Sequence, residues 1–298
     1  MLDAAAVLKW YAEQGLDETI GEDAVDRFAL QPAAPAAVAG ASSPVALTPR
    51  LSGSPAAGSP THGSSAPVHS GLSPRAPAAP PRAPVPLESP QLVEDARELA
   101  RRCNTLAELE AAVRGFEGCA LKRTAKNTVF ADGVAGAPVM VVGEAPGADE
   151  DRLGKPFVGV SGQLMDRMME SIGLNRAGPG SAAFYITNIL FWRPPGNRTP
   201  TLAEQAICLA FTRRHIELAR PKVLVLAGGV AVKAVLDTVE GITKLRGKWT
   251  SVKLDDGSEV PAMPTFHPAY LLRTPASKRQ SWSDLLAIDK RLRELGVR

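Results

Sequence analysis

Val139-Met140-Val141-Val142-Gly143-Glu144-Ala145-Pro146-Gly147 is the stretch on which the reading of this chain turns. An apolar run from Val139 to Val142 reads as a strand buried on both faces, predicted over 138–142. The Gly/Pro turn after it therefore lies at the strand's carboxyl end, where open α/β sheets bind their ligands. The loop continues through Ala148-Asp149-Glu150-Asp151 to Gly154-Lys155-Pro156-Phe157-Val158-Gly159. A tight turn, several carboxylates and one aromatic ring suit holding a small planar ring and doing proton or water chemistry beside it. Of Asp149, Glu150 and Asp151, at least two read as ordinary solvated charge.

Outward from this strand the pattern alternates. Helices are predicted at 93–103 and 105–116, the second opened by a capping box of Thr105 with Glu108. A helix at 161–173 follows the loop, with Leu164, Met165, Met168, Met169 and Ile172 on one face as core. A strand at 184–189, a helix at 201–219 capped by Thr201 with Glu204, a strand at 223–226 and a helix at 229–237 come next. Gly228-Gly229 reads as a tight strand-to-helix turn. A strand near 261–265 and a helix at 281–295 complete the order. Strands alternating with helices give an α/β fold with a doubly wound, mostly parallel central sheet flanked by helices.

Composition divides the 298 residues into three. Residues 31–88 are dominated by Ala, Pro, Ser and Gly and bury too little apolar surface to offset ordering entropy, so a disordered linker is expected. Within a short helical segment expected over residues 1–30, residues 2–14 place Val7, Leu8, Trp10 and Tyr11 on one apolar helical face. Such a helix on a long linker serves either a protein partner or docking on its own core, and the residues do not separate these. Residues 89–298 suffice for one catalytic domain. A net charge of +3 permits nucleic-acid binding without demanding it. No run is long and apolar enough for a membrane helix, and with Asp3 and no basic n-region at the N-terminus a secretory signal is not expected. Cys103, Cys119 and Cys208 read as reduced thiols, so a cytoplasmic protein is expected.

Two further loops follow predicted strands: Thr187-Asn188-Ile189-Leu190-Phe191-Trp192-Arg193-Pro194-Pro195-Gly196-Asn197-Arg198 and Thr265-Phe266-His267-Pro268-Ala269-Tyr270-Leu271-Leu272-Arg273. All three loops fall at one sheet edge, so Glu144, Phe157, Asn188 and His267 are expected to enclose one pocket. The strings GEAPGADED, GKPFVGVSGQL, YITNILFWRPPGNR, KLRG and HPAYLLR, in this order from about Cys119 to Trp282, resemble the motif set of family 4 uracil-DNA glycosylases.

The resemblance implies a monofunctional glycosylase that removes uracil from DNA, leaves an abasic site and acts as a monomer near the bacterial nucleoid. By it Phe157 stacks on uracil, Asn188 reads the amide edge, and His267 donates to the O2 anion. Glu144 is the candidate for positioning water or balancing oxocarbenium charge, and the backbones of Gly143, Ala145 and Gly147 line the pocket. Relatives reading GQDPYH carry an aspartate where this chain has Ala145, so slower turnover is expected. Leu271, Leu272 and Arg273 fit a wedge entering the duplex, and Arg193, Arg198, Lys244, Arg246, Lys248, Lys278 and Arg279 fit phosphate contacts. The family's iron–sulfur cluster needs four cysteines, but Phe116 and Trp192 stand at the first and third positions, with Cys119 and Cys208 at the second and fourth. No cluster is therefore expected and no metal ligand is assigned, a site of Cys103, Cys119 and Cys208 with a fourth ligand being the alternative left open. The alternative function is a protein that binds uracil or abasic DNA with little turnover.

Overall fold

Val139–Gly143 (β2) is buried at every position, as a strand covered on both faces must be. The computed structural model describes residues 90–298, so the segments expected at 1–30 and 31–88 lie outside the described residues. Helices Pro90–Arg102 (α1) and Leu106–Gly115 (α2) open the domain, followed by a two-residue strand, Asp132–Gly133 (β1). After β2 come Ala148–Leu153 (α3), Val160–Glu170 (α4), Phe184–Asn188 (β3), Leu202–Ala219 (α5) and Val223–Ala227 (β4). Gly229–Leu236 (α6), Ile242–Leu245 (α7), Thr250–Lys253 (β5), Glu259–Thr265 (β6), Pro268–Arg273 (α8) and Lys278–Glu294 (α9) complete it. The sequence pattern had missed the short elements β1, α3, α7, β5 and α8.

The sheet order is β1-β3-β2-β4-β6-β5. The four inner strands are parallel, and the short edge strands pair antiparallel to β3 and β6. From β2 the chain moves to one side for β3, then crosses to the other side for β4, so β2 is the topological switch. Met140 and Val142 point to the face covered by α1, α2, α5 and α6, where they join Leu109, Val113, Phe211, Ile216 and Val232 in one apolar cluster. The opposite side carries α9, which packs against β6 and α4. Met165, Met168 and Met169 are buried core, as their helical spacing predicts. Thr201 makes the expected capping box with Glu204, whereas Thr105 forms half of one: it accepts from the Glu108 N–H at 3.1 Å, but the Glu108 carboxylate accepts from the Asn104 N–H instead of the N-cap's own. Among the described residues no helix is long and apolar enough to cross a membrane.

One buried polar pair has a consequence for stability. His215 of α5 stacks on Phe130, with ring centroids 4.3 Å apart, and its Nε2 shares a 3.0 Å hydrogen bond with the Tyr185 hydroxyl. Its Nδ1 has no partner among the described residues. Burial lowers this imidazole from 6.5 to about 3, so it is neutral in the fold. The unfolded chain takes up a proton that the fold refuses, so the His215 contribution is complete above its unfolded pKa and is lost as pH falls below it. Between pH 6.5 and about 5 unfolding should become easier by roughly 2 kcal/mol. Denaturant titrations across this window measure it, and His215→Leu is expected to flatten the dependence.

Candidate active site

The register of β2 on β3 pairs Gly143 with Asn188, and the Ile189 N–H donates to the Gly143 carbonyl at 2.9 Å. These contacts tie together the strand ends from which two loops depart. His267 follows β6 as the N-cap of α8. Glu144, Phe157, Asn188 and His267 consequently line one open cavity of about 450 Å³, together with Ala145, Gly147, Glu150, Ser161, Asn197, Arg198, Tyr270 and Arg273. Gly143 lies beneath it. A Cβ there would sit 2.4 Å from Cζ of Phe157 and 2.5 Å from Oδ1 of Asn188, so two side chains close over a position that only glycine fits.

Each of the four side chains has a defined state. Asn188 is buried, and its Oδ1 has no hydrogen-bond partner among the described residues. An orphaned buried acceptor is costly, which points to a ligand donor. The His267 ring stacks beside Phe157, centroids 5.5 Å apart at 27°. Its Nδ1 accepts the Ala269 N–H at 3.1 Å. Burial, followed by the nearby Arg273 charge, lowers His267 from 6.5 to about 4. At neutral pH the ring is uncharged with Nδ1 accepting, so Nε2 carries the proton and remains as a donor. Burial also pushes the Glu144 carboxyl above the ordinary carboxylate range. Phe157 itself is buried and adopts a left-handed backbone, φ 54°.

The acidic run differs from expectation. Only Asp149 is solvated; Glu150 and Asp151 are buried. Glu150 accepts from the N–H groups of Gly147, Val158 and Gly159, and Asp151 accepts from those of Lys126 and Asn127. Both are staples between loops. Arg176, which the sequence reading passed over, donates to the Pro156 and Phe157 carbonyls.

The expected DNA-facing residues are sorted by the structure. Leu271 is fully buried on the inner side of α8, so it cannot enter a duplex; Leu272 beside it is 42% exposed. Arg246 is also withdrawn, since its guanidinium is bound to Asp284 and to the Gln280 carbonyl and lies over the Phe266 ring. Lys278 is buried rather than displayed. Arg273 and Arg198 border the cavity, Arg198 being paired with Glu204 at 2.6 Å, while the Arg193 Nε donates to the Asn197 carboxamide at 2.7 Å. Lys244 is exposed on α7 and does not border the cavity.

At the four positions where the resemblance implies cluster ligands, the residues do not fit a cluster. Phe116 packs edge-on against Phe211 at 5.2 Å, and Trp192 is buried with its indole N–H donating to Thr128 at 3.0 Å. Cys119 and Cys208 are buried, and their mutual hydrogen bond together with burial pushes the Cys208 thiol well up. Cys103 lies apart, its thiol turned to the Leu99 carbonyl. Among the described residues no three His, Cys, Asp or Glu side chains gather as a metal-holding group.

The pocket loops coincide with a family match. Residues 130–286 match the Uracil DNA glycosylase superfamily. A type-4 uracil-DNA glycosylase of Pyrobaculum aerophilum is 34% identical over 184 residues, 60% of this chain and 91% of that protein. Its counterpart from Thermotoga maritima is 37% identical over 167 residues, 56% of this chain and 82% of that protein. One from Archaeoglobus fulgidus is 35% identical over 188 residues, 62% and 92% of the two chains. With more than half its length matched and the pocket built by the matching loops, this chain belongs to the uracil DNA glycosylase superfamily.

Proposed function

We propose that this protein is a uracil-DNA glycosylase of the type-4 kind, which hydrolyses the N-glycosidic bond of deoxyuridine in DNA for base excision repair. The observation that carries this reading is the unpartnered Asn188 Oδ1 in the same cavity as a neutral His267 whose Nε2–H is free to donate. Uracil offers both partners. Its N3–H donates to the carboxamide oxygen and its O4 accepts from the amide nitrogen, whereas cytosine presents the reverse pattern. Phe157 stacks on the extruded ring, and the Gly143–Gly147 backbone walls the slot.

In the reaction the C1′–N1 bond breaks, the sugar gains oxocarbenium character and the electron pair stays on the base. His267 donates to O2 as negative charge develops there, without first needing a proton from solvent. Glu144, half-buried beside the slot, holds the water that adds to C1′ and balances the sugar's charge, and the proton that this water releases ends on the departing uracil anion, so that sugar and base both leave neutral. No strong base occupies Ala145, so anion stabilisation carries more of the rate. Leu272 fills the space left by the extruded nucleotide, while Arg193, Arg198, Lys244 and Arg273 track phosphates, a role that makes affinity fall with salt. The protein acts as a cytoplasmic monomer at the nucleoid, with residues 89–298 as the catalytic domain and residues 1–30 serving either a protein partner or docking on the chain's own core.

A single-turnover assay on a uracil-containing oligonucleotide, followed by alkaline strand cleavage, tests the activity. Scission at uracil is expected; a retarded complex without scission would mark a damage-binding protein instead. The chain also works without an iron–sulfur cluster, because the packed Phe116 and Trp192 rings stand where two thiolates would be needed. Freshly purified protein should contain no stoichiometric iron and lack the broad visible absorbance of a cluster.

A further inference from the structure

We propose that Glu150 and Arg176 are positioning residues that form a charged clamp on Phe157, fixing its ring as a ready-made stacking surface before any base arrives. This rests on the reading that Phe157 stacks on the extruded base. A bulky residue at φ 54° is unfavourable and persists only where its surroundings hold it. Here the peptide units on both sides of Phe157 are held by ionised groups. Arg176 reaches both units, donating Nη1 to the Pro156 carbonyl at 2.8 Å and Nη2 to the Phe157 carbonyl at 2.9 Å. The guanidinium is itself fixed by Asp166 and Asp132. On the far side, Glu150 Oε1 accepts the Val158 and Gly159 N–H groups, both at 2.9 Å, while Oε2 accepts the Gly147 N–H at 3.0 Å.

One carboxylate thus joins the turn after β2 to the loop that carries the aromatic ring, and the guanidinium closes the other side. Gly162 leaves no slack: a Cβ there would lie 2.0 Å from the Phe157 carbonyl oxygen. The backbone that carries the ring cannot shift without breaking charge-assisted hydrogen bonds, which are the strong ones. Neither Glu150 nor Arg176 has to touch the reacting atoms for this role.

The test compares the full-length protein with Glu150→Gln, Arg176→Lys, Phe157→Ala and the Glu150→Gln/Phe157→Ala double variant. Single-turnover excision, inhibition by free uracil and affinity for abasic-site DNA are measured. Glu150→Gln keeps the shape but loses a carboxylate acceptor; Arg176→Lys keeps the charge facing Asp132 and Asp166 but loses the forked carbonyl contacts. Each is expected to slow excision about tenfold and weaken uracil inhibition in proportion, with abasic-DNA affinity unchanged within about twofold. In the double variant, Glu150→Gln should add almost nothing to Phe157→Ala, since both act through one ring. If Phe157→Ala is impaired while both clamp variants match wild type, the clamp is wrong and the stacking role stands. A clamp variant that weakens abasic-DNA binding equally, or whose effect adds in full to Phe157→Ala, also overturns the clamp. An unimpaired Phe157→Ala removes the stacking role itself. Should Glu150→Gln fail to fold, Arg176→Lys and its combination with Phe157→Ala decide on the same readings.

Discussion

His267→Ala is expected to slow single-turnover excision by about 10²–10³-fold, the usual worth of one positioned anion-stabilising donor. The expectation follows from the state of the ring. Its Nδ1 is committed to the Ala269 N–H, and burial keeps it neutral near pH 7, so the Nε2–H donor needs no reorganisation when charge appears on the base. Two measurements separate this role from simple support of the fold. Substrate affinity should change little, because the interaction strengthens only as the bond breaks. The pH–rate profile of the wild type should show no limb near 6.5 from this histidine, whose titration is moved down to about 4. Cleavage by His267→Ala at the wild-type rate would remove His267 from the chemistry.

Gly143→Ala should cost about as much, from a single methyl group. The added carbon would overlap both the Phe157 ring edge and the Asn188 carboxamide oxygen, so one or both must shift by about an ångström. Displacement of that size at reacting or reading groups costs on the order of 10²-fold. Overpacking against the buried ring adds destabilisation of about 1–3 kcal/mol, which thermal unfolding registers separately. Excision that persists within threefold of wild type would mean that the two side chains do not meet over Gly143.

The inner strands, the long helices and the four-residue pocket were legible in the sequence because each rests on a local signal: an apolar run, a helical period, or a loop placed after a strand. The edge strand β5 left a fainter trace. Asp256-Gly257 is a hairpin turn signal, but it lies in a polar stretch where apolar alternation is weak. The wedge role expected for Leu271 fails because the segment after His267 is a helix and not a loop. In a helix that starts with His267 as N-cap and Pro268 at the first position, adjacent residues point about 100° apart, so Leu271 turns inward and Leu272 outward. The N-cap and proline were available as a cue. Nothing comparable announced Glu150, Asp151 or Arg176. Their backbone partners lie on loops up to 25 residues away, and Arg176 reaches Asp132 44 residues away, which neither composition nor periodicity encodes.

The pairing of Gly143 with Asn188 has a corollary. Because strand side chains alternate, a slip of one residue between these neighbours would turn the carboxamide out of the slot and would also part the Tyr185 hydroxyl from His215 and the Thr187 hydroxyl from the Phe130 carbonyl. Base discrimination is thereby indexed to sheet alignment. The same buried hydroxyl contacts that hold the strand in place therefore also guard the reading of the base.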